Sequence, residues 1–391
     1  MNIPYGRQDV NEDDINAVIK VLKSDYLTQG SIVPKFEVAV ASYVKAKHSI
    51  AVNSATSALH IACKALNVRS GDIVWTSPIT FVASANCALY CGAIVDFVDI
   101  DPITYNLSVD ALEKKLIRAK KKGELPKVLI PVHLSGQSCD MKEIYNLSLK
   151  YKFKIIEDAS HSIGAEYLDK KVGSCCYSNI TIFSFHPVKI ITTGEGGMAL
   201  TNDSKLAAKM YQLRSHGITR HPEEMEGLIE DGAWYYQQID LGFNYRMTDI
   251  QAALGLSQLN RLDEFVEKRH TLANRYNEIL KDIPVILPFQ KSYCYSSLHL
   301  YIIRIPRTQT LNRQEVFERL RYHGVGVNVH YIPIYRQPYY KQFGYEYTDF
   351  PEAESYYSQA ISIPLYPTLT EEQQDIVAKV LTMPVGHQSL F

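Results

Sequence analysis

Lys189 sits in the run Ser184-Phe185-His186-Pro187-Val188-Lys189-Ile190-Ile191, with Gly194, Gly196 and Gly197 just behind it. A lysine among apolar neighbours loses hydration, its pKa falls, and the neutral amine can add to a carbonyl. The plain alternative is a surface lysine with a packed stem. The apolar flanks and the glycines, which permit close backbone approach, weigh against it. Asp158 is the second candidate, at the end of the buried-looking strand in Ile155-Ile156-Glu157-Asp158-Ala159-Ser160-His161. On its own a strand-end aspartate is often only a turn residue. The third is Asn53-Ser54-Ala55-Thr56-Ser57-Ala58-Leu59, where small polar residues lead from a strand into a helix. Free N–H groups at such a helix start, with the Thr56 and Ser57 hydroxyls, suit a phosphate; the same hydroxyls could merely cap the helix.

An amine nucleophile, a carboxylate and a phosphate cradle together match the needs of pyridoxal phosphate. The carboxylate keeps the ring nitrogen protonated and the ring becomes an electron sink. Other phosphate motifs fit less well. The cradle lacks the Gly-Lys-Ser/Thr ending of a P-loop, and Gly194-Glu195-Gly196-Gly197 has neither the spacing nor the position of a dinucleotide fingerprint.

These residues need a scaffold, and the chain supplies one. Between Ser49 and Ala159 apolar runs alternate with helical patterns. Strands are expected at 49–52, 72–76, 94–98, 128–132 and 154–157, with helices at 56–66, 82–90, 109–121 and 141–151. Such βαβ alternation predicts an α/β fold with a mostly parallel sheet and helices on both faces. Ligands then bind beyond the carboxyl ends of the strands. Two more strands, 180–185 and 197–201, flank the lysine. One long helix is expected over 248–280. Beyond it strands (301–305, 326–331) and helices (313–323, 371–381) mix into a smaller α+β domain. The expected organisation is an N-terminal arm over 1–12, a large domain over 13–247 and a small one over 248–391.

The chain of 391 residues has a formal net charge of -1, so nothing attracts nucleic acid or an anionic membrane. No apolar stretch is long enough to span a bilayer, and the N-terminus lacks the shape of a signal peptide, which points to the cytoplasm. The 7 cysteines form no Cys-x-x-Cys motif and read as packed thiols rather than metal ligands. Residues 386–391 suggest no role.

The chain resembles the DegT/DnrJ/EryC1/StrS family of pyridoxal-phosphate sugar aminotransferases, which have the fold-type I architecture. The resemblance runs through Leu27-Thr28-Gln29-Gly30, the 53–59 run, Ile79-Thr80-Phe81-Val82-Ala83-Ser84-Ala85-Asn86, Glu157 to His161, Ser184 to Gly197, and Gly242-Phe243-Asn244-Tyr245-Arg246-Met247-Thr248-Asp249. It implies that Lys189 holds the cofactor covalently and shuttles the proton. Asp158 would pair with the pyridine nitrogen and Phe81 would cover one ring face. Thr56, Ser57 and Ser184 would take the phosphate. His161, where many members have Gln, would lie near the phenolic oxygen. Asn244 would reach the phosphate from a neighbouring subunit, which implies a homodimer with shared active sites.

Within the family the chain is similar to the branch that aminates C4 of a UDP-linked 2-acetamido-2,6-dideoxy-4-keto-hexose on the way to pseudaminic acid. L-Glutamate is the donor there and leaves as 2-oxoglutarate. By that likeness Tyr5, Tyr26, Leu27, Thr28, Gln29, His330 and Tyr331 would line the sugar-nucleotide site. Packing alone also explains such aromatics. Three rival readings stand beside this one. A family dehydratase would carry His in place of Lys189. A transaminase for another keto-sugar is the nearest rival. A non-catalytic regulator would be expected to lack Lys189 or Asp158.

Overall fold

The computed structural model describes residues 2–227, 232–306 and 312–383, so residues 386–391 lie outside the described residues. Seven strands form the central sheet: β1 (His48–Val52), β2 (Ile73–Thr76), β3 (Ile94–Phe97), β4 (Val128–Ile130), β5 (Lys154–Asp158), β6 (Ile180–Ser184) and β7 (Gly197–Thr201). Their order is β1-β7-β6-β5-β4-β2-β3. All neighbours are parallel except β7, which runs antiparallel to both β6 and β1. The sheet is therefore mostly parallel, as expected for fold type I. With both faces covered, its strands are near-continuous apolar runs rather than alternating ones; every residue of β6 and β7 is buried.

Helices α1 (Glu12–Leu22) and α2 (Ile32–Val44) precede the sheet, and α3 (Ala55–Ala65), α4 (Ala83–Leu89), α5 (Val109–Lys122), α6 (Met141–Tyr151) and α7 (Ser204–Leu213) are threaded through it. One apolar layer joins Val52, Val74, Ile156 and Ala199 to α3, α4 and α7. On the opposite face Ala51, Phe183 and Met198 pack on α2, and Trp75, Leu129 and Ile155 on α5 and α6. Pleating sends successive residues to opposite faces, so neighbours such as Ala51 and Val52 serve different layers.

The helix expected over 248–280 is two helices, α8 (Asp249–Leu259) and α9 (Leu262–Ile279). At the break Arg261 leaves helical geometry, and its guanidinium bonds Asp9 O at 3.0 Å and the buried Asp14 Oδ2 at 2.6 Å. Docking on α1 thus interrupts a periodicity that looks continuous in sequence. Beyond α9 lie β8 (Tyr301–Arg304), α10 (Arg313–Tyr322), α11 (Pro338–Lys341), α12 (Pro351–Gln359), β9 (Ala360–Ile363) and α13 (Glu371–Thr382). The antiparallel pair β8–β9 shares a second apolar cluster with α9, α10 and α13, which Ile3 also joins. The strand expected over 326–331 does not form. Only Asn328 makes a bridge, to Ser362, because Gly326 N instead bonds Ile3 O at 2.6 Å and the chain then turns away from β9. Among the described residues no helix is long and apolar enough to cross a membrane.

Candidate active site

β1 brings the chain to the carboxyl edge of the sheet, where Asn53 and Ser54 turn it into α3. Ser54 is the N-cap, accepting from Ser57 N at 3.1 Å. The Ser57 hydroxyl donates to Asn53 Oδ1 at 2.6 Å. Capping therefore falls to Ser54, and the Ser57 proton is already committed. The N–H groups of Ala55 and Thr56 and the Thr56 hydroxyl have no partner among the described residues. Gly197 permits this arrangement. A Cβ there would lie 2.4 Å from Ala55 N, so β7 reaches the first turn of α3 only as glycine.

Asp158 ends β5 at the same edge. Its Oδ2 accepts from Ser84 Oγ at 2.6 Å and its Oδ1 from Ser160 N at 3.1 Å. Because Ser84 gives its proton to Asp158, Thr80 Oγ1, 2.8 Å away, is the donor to Ser84. The carboxylate is thus aimed by α4 and held on both oxygens. Lys189 lies in the turn between β6 and β7, closed by its N–H to His186 O at 2.9 Å. Burial pushes its amine down to about 8, with the charge of Asp158 opposing the shift. Ser184, the last residue of β6, is buried beside it.

A cavity of about 990 Å³ unites these groups: Thr56, Ser57, Phe81, Asp158, His161, Ser184 and Lys189 all line it, with Tyr5, His330 and Tyr331. The Phe81 ring stands at the opening, 58% exposed and 6.3 Å from the Tyr331 ring. His330 Nδ1 is 2.8 Å from Ser362 Oγ, and burial beside Lys189 pushes its pKa down to about 3. His161 is buried with both ring nitrogens engaged, Nδ1 by Ser135 N at 3.3 Å and Nε2 by Tyr331 OH at 3.1 Å.

Five expected residues do not line this cavity. Tyr26, Leu27, Thr28 and Gln29 are exposed on a segment tied to α8 by Asp249 N donating to Leu27 O at 3.0 Å. Asn244 is exposed and bridges to Ser215.

Sequence reading missed Thr80 and Ser84, although their i, i+4 spacing next to Phe81 was a usable signal. It also missed Ser135 and His299. His299 lines the cavity and its ring packs 4.3 Å from that of His161. No local pattern marks either residue, since each comes from a distant connection.

The residues present fit pyridoxal phosphate. Lys189 could take the aldehyde, Asp158 the pyridine nitrogen, and the free donors of α3 with Ser184 the phosphate. Fold and site define a fold-type I pyridoxal-phosphate aminotransferase. The chain belongs to the DegT/DnrJ/EryC1/StrS aminotransferase family, whose profile matches residues 8–382. It is 39% identical over 380 residues, 97% of this chain and 96% of the relative, to a UDP-4-amino-4,6-dideoxy-N-acetyl-beta-L-altrosamine transaminase of Campylobacter jejuni. Among solved structures it is similar to Helicobacter pylori PseC, an aminotransferase involved in the biosynthesis of pseudoaminic acid. The TM-score is 0.88 at 34% identity, covering 97% of this chain and 98% of that one. The putative sugar aminotransferase Spr1654 of Streptococcus pneumoniae, in its PLP form, gives a TM-score of 0.87 at 28% identity over 97% of this chain and 98% of that one.

Proposed function

We propose that the enzyme transfers an amino group from L-glutamate to C4 of a UDP-linked 2-acetamido-2,6-dideoxy-4-keto-hexose. The product is UDP-4-amino-4,6-dideoxy-N-acetyl-beta-L-altrosamine, a precursor of pseudaminic acid. The observation that carries the transaminase chemistry is the joint placement of Lys189 and Asp158 in one cavity beside the free N–H groups of α3. The named activities of the Campylobacter and Helicobacter relatives support the choice of sugar.

Bound pyridoxal phosphate supplies an electron sink for the carbon that loses its proton. The protein does the rest. Asp158, held by Ser84 and Ser160, keeps a negative charge against the pyridine nitrogen. Ala55 N, Thr56 N and the Thr56 and Ser184 hydroxyls bind the phosphate, with Asn244 of a second subunit completing the cradle in a homodimer. Phe81 covers one ring face. Lys189 Nζ takes the proton from Cα of glutamate in the first half-reaction and delivers one to C4 of the sugar in the second. Burial lowers its pKa to about 8, which favours the neutral amine that a base requires. Tyr5, His330 and Tyr331 form the sugar side of the cavity.

The test follows the visible absorbance of the lysine-linked cofactor. Glutamate is expected to bleach it, and the 2-acetamido 4-keto-6-deoxy sugar of L-arabino configuration to restore it. Restoration only by a ketone differing at C2 or C5 would reject the sugar while leaving the transaminase. No visible band after pyridoxal phosphate is supplied would reject the role of Lys189.

A further inference from the structure

We propose that the backbone N–H of Ser135 fixes His161 in a single tautomer, and that this makes the Tyr331 hydroxyl a one-way hydrogen-bond donor to a ligand oxygen in the cavity. The identity of that ligand rests on the function proposed above; the hydrogen-bond chain does not.

Polarity sets the direction of each bond. A backbone N–H can only donate, so His161 Nδ1, 3.3 Å from Ser135 N, must present its lone pair. The ring proton is then on Nε2. That nitrogen is 3.1 Å from Tyr331 OH, so His161 donates and the phenol oxygen accepts. Tyr331 must send its own proton elsewhere. Among the described residues its hydroxyl has no other hydrogen-bond partner, and the residue lines the cavity. Burial, reinforced by the charge of Asp158, raises the Tyr331 pKa and keeps that proton in place. Burial, with Lys189 and His330 alongside, holds His161 well below its ordinary pKa, so a second ring proton, which would oppose the Ser135 N–H, is disfavoured.

The Ser135 N–H is held in place by the bonds around it. Ser135 has φ 64° and ψ 0°, a left-handed conformation that side chains seldom adopt. It is kept there by its hydroxyl donating to Leu300 O at 2.7 Å and by Ser297 N donating to Gly136 O at 3.2 Å. Ser297 Oγ also donates to His161 O at 2.7 Å, so one short segment grips both ends of the contact. The His299 ring packs against that of His161, with centroids 4.3 Å apart. Ser135 and His161 are thus positioning residues, acting through Tyr331. Two bound oxygens present the acceptor chemistry that Tyr331 would meet, the phenolate oxygen of the cofactor and the keto oxygen of the sugar.

Holoenzyme carrying His161→Gln, His161→Leu, Tyr331→Phe or the Leu/Phe pair tests this. Gln can accept from Ser135 N–H through its carbonyl and donate to Tyr331 through its amide, so it should restore what Leu loses. Leu and Phe should change the same readout in the same direction, and the double variant should add nothing. If the partner is the phenolate, the pH midpoint of the visible band rises by about one unit, because the oxygen loses its donor and holds a proton more tightly. If it is the keto oxygen, the midpoint stays and kcat/KM for the keto-sugar falls about 10- to 100-fold, with the glutamate half-reaction unchanged. Either pattern supports the proposal. Tyr331→Phe matching wild type in both readouts, or Gln failing as Leu does, overturns it. Nitrogen NMR of labelled histidine, which needs no cofactor, decides the tautomer separately: a proton on His161 Nδ1 overturns the proposal even if the transaminase reading stands.

Discussion

The cavity has two kinds of wall. The floor is the carboxyl edge of the sheet, where Asp158 and Ser184 end strands and the free donors of α3 follow β1 directly. Each functional group there is within a few residues of a buried strand, so the position of one atom follows from the strand that carries it. The loop wall joins His161, His299 and Tyr331, which line the cavity from three separate connections, and its order depends on backbone groups such as the Ser135 N–H bonded to His161. Precision has a different source in each. At the edge it is inherited from the sheet ladder. On the loop wall it is assembled by hydrogen bonds such as Ser135 Oγ to Leu300 O, at 2.7 Å.

The largest effect should come from the edge. Lys189→Ala is expected to abolish the visible band and lower turnover by about 10³-fold or more, read by absorbance and steady-state assay. Retained turnover would mean the floor does not hold the chemistry. The loop wall should break at Gly136, which has φ 106° and where a Cβ would lie 2.7 Å from both Leu298 N and Ser297 Oγ. Gly136→Ala should destabilise the protein by about 2–3 kcal/mol in urea unfolding, since either the backbone or the 297–299 segment must shift. A neutral result would show that this wall is looser than its hydrogen bonds suggest. Ser84→Ala removes one donor from Asp158 but leaves Ser160, and should weaken cofactor retention about tenfold in equilibrium dialysis.

The smallest effect is one of pH. The fold lowers the Lys189 pKa from 10.5 to about 8. Between those values the unfolded chain binds the proton more tightly than the folded one, so stability rises with pH across that window and is lowest below it. The melting temperature of apoprotein should therefore climb from about pH 8 to 10 more steeply in wild type than in Lys189→Met. Parallel curves would remove the depressed amine from the account.

The edge was legible in sequence because its residues are contiguous with their scaffold. An apolar run ending in Asp158, a polar start to α3, and a lysine between two apolar strands each state both the element and the group it presents. The resemblance to the aminotransferase family drew on those same segments. Thr80 and Ser84 were within reach, as two hydroxyls four residues apart beside Phe81, but Asp158, which accepts from Ser84, is 74 residues away from it.

Local pattern in the sequence specified the mostly parallel sheet, the polar start of α3, Asp158 at the end of β5 and Lys189 between two strands, because period and composition act locally. Folding in three dimensions settled the rest. It split the helix at Arg261 by docking that side chain on Asp14, and it turned 326–331 from a strand into a wall of the cavity. It gave the cap to Ser54 and left Thr56 free. It also spent both nitrogens of His161 on Ser135 and Tyr331. Each of these outcomes depends on which donor meets which acceptor across the fold, and hydrogen-bond partners distant in sequence leave no periodic trace in it.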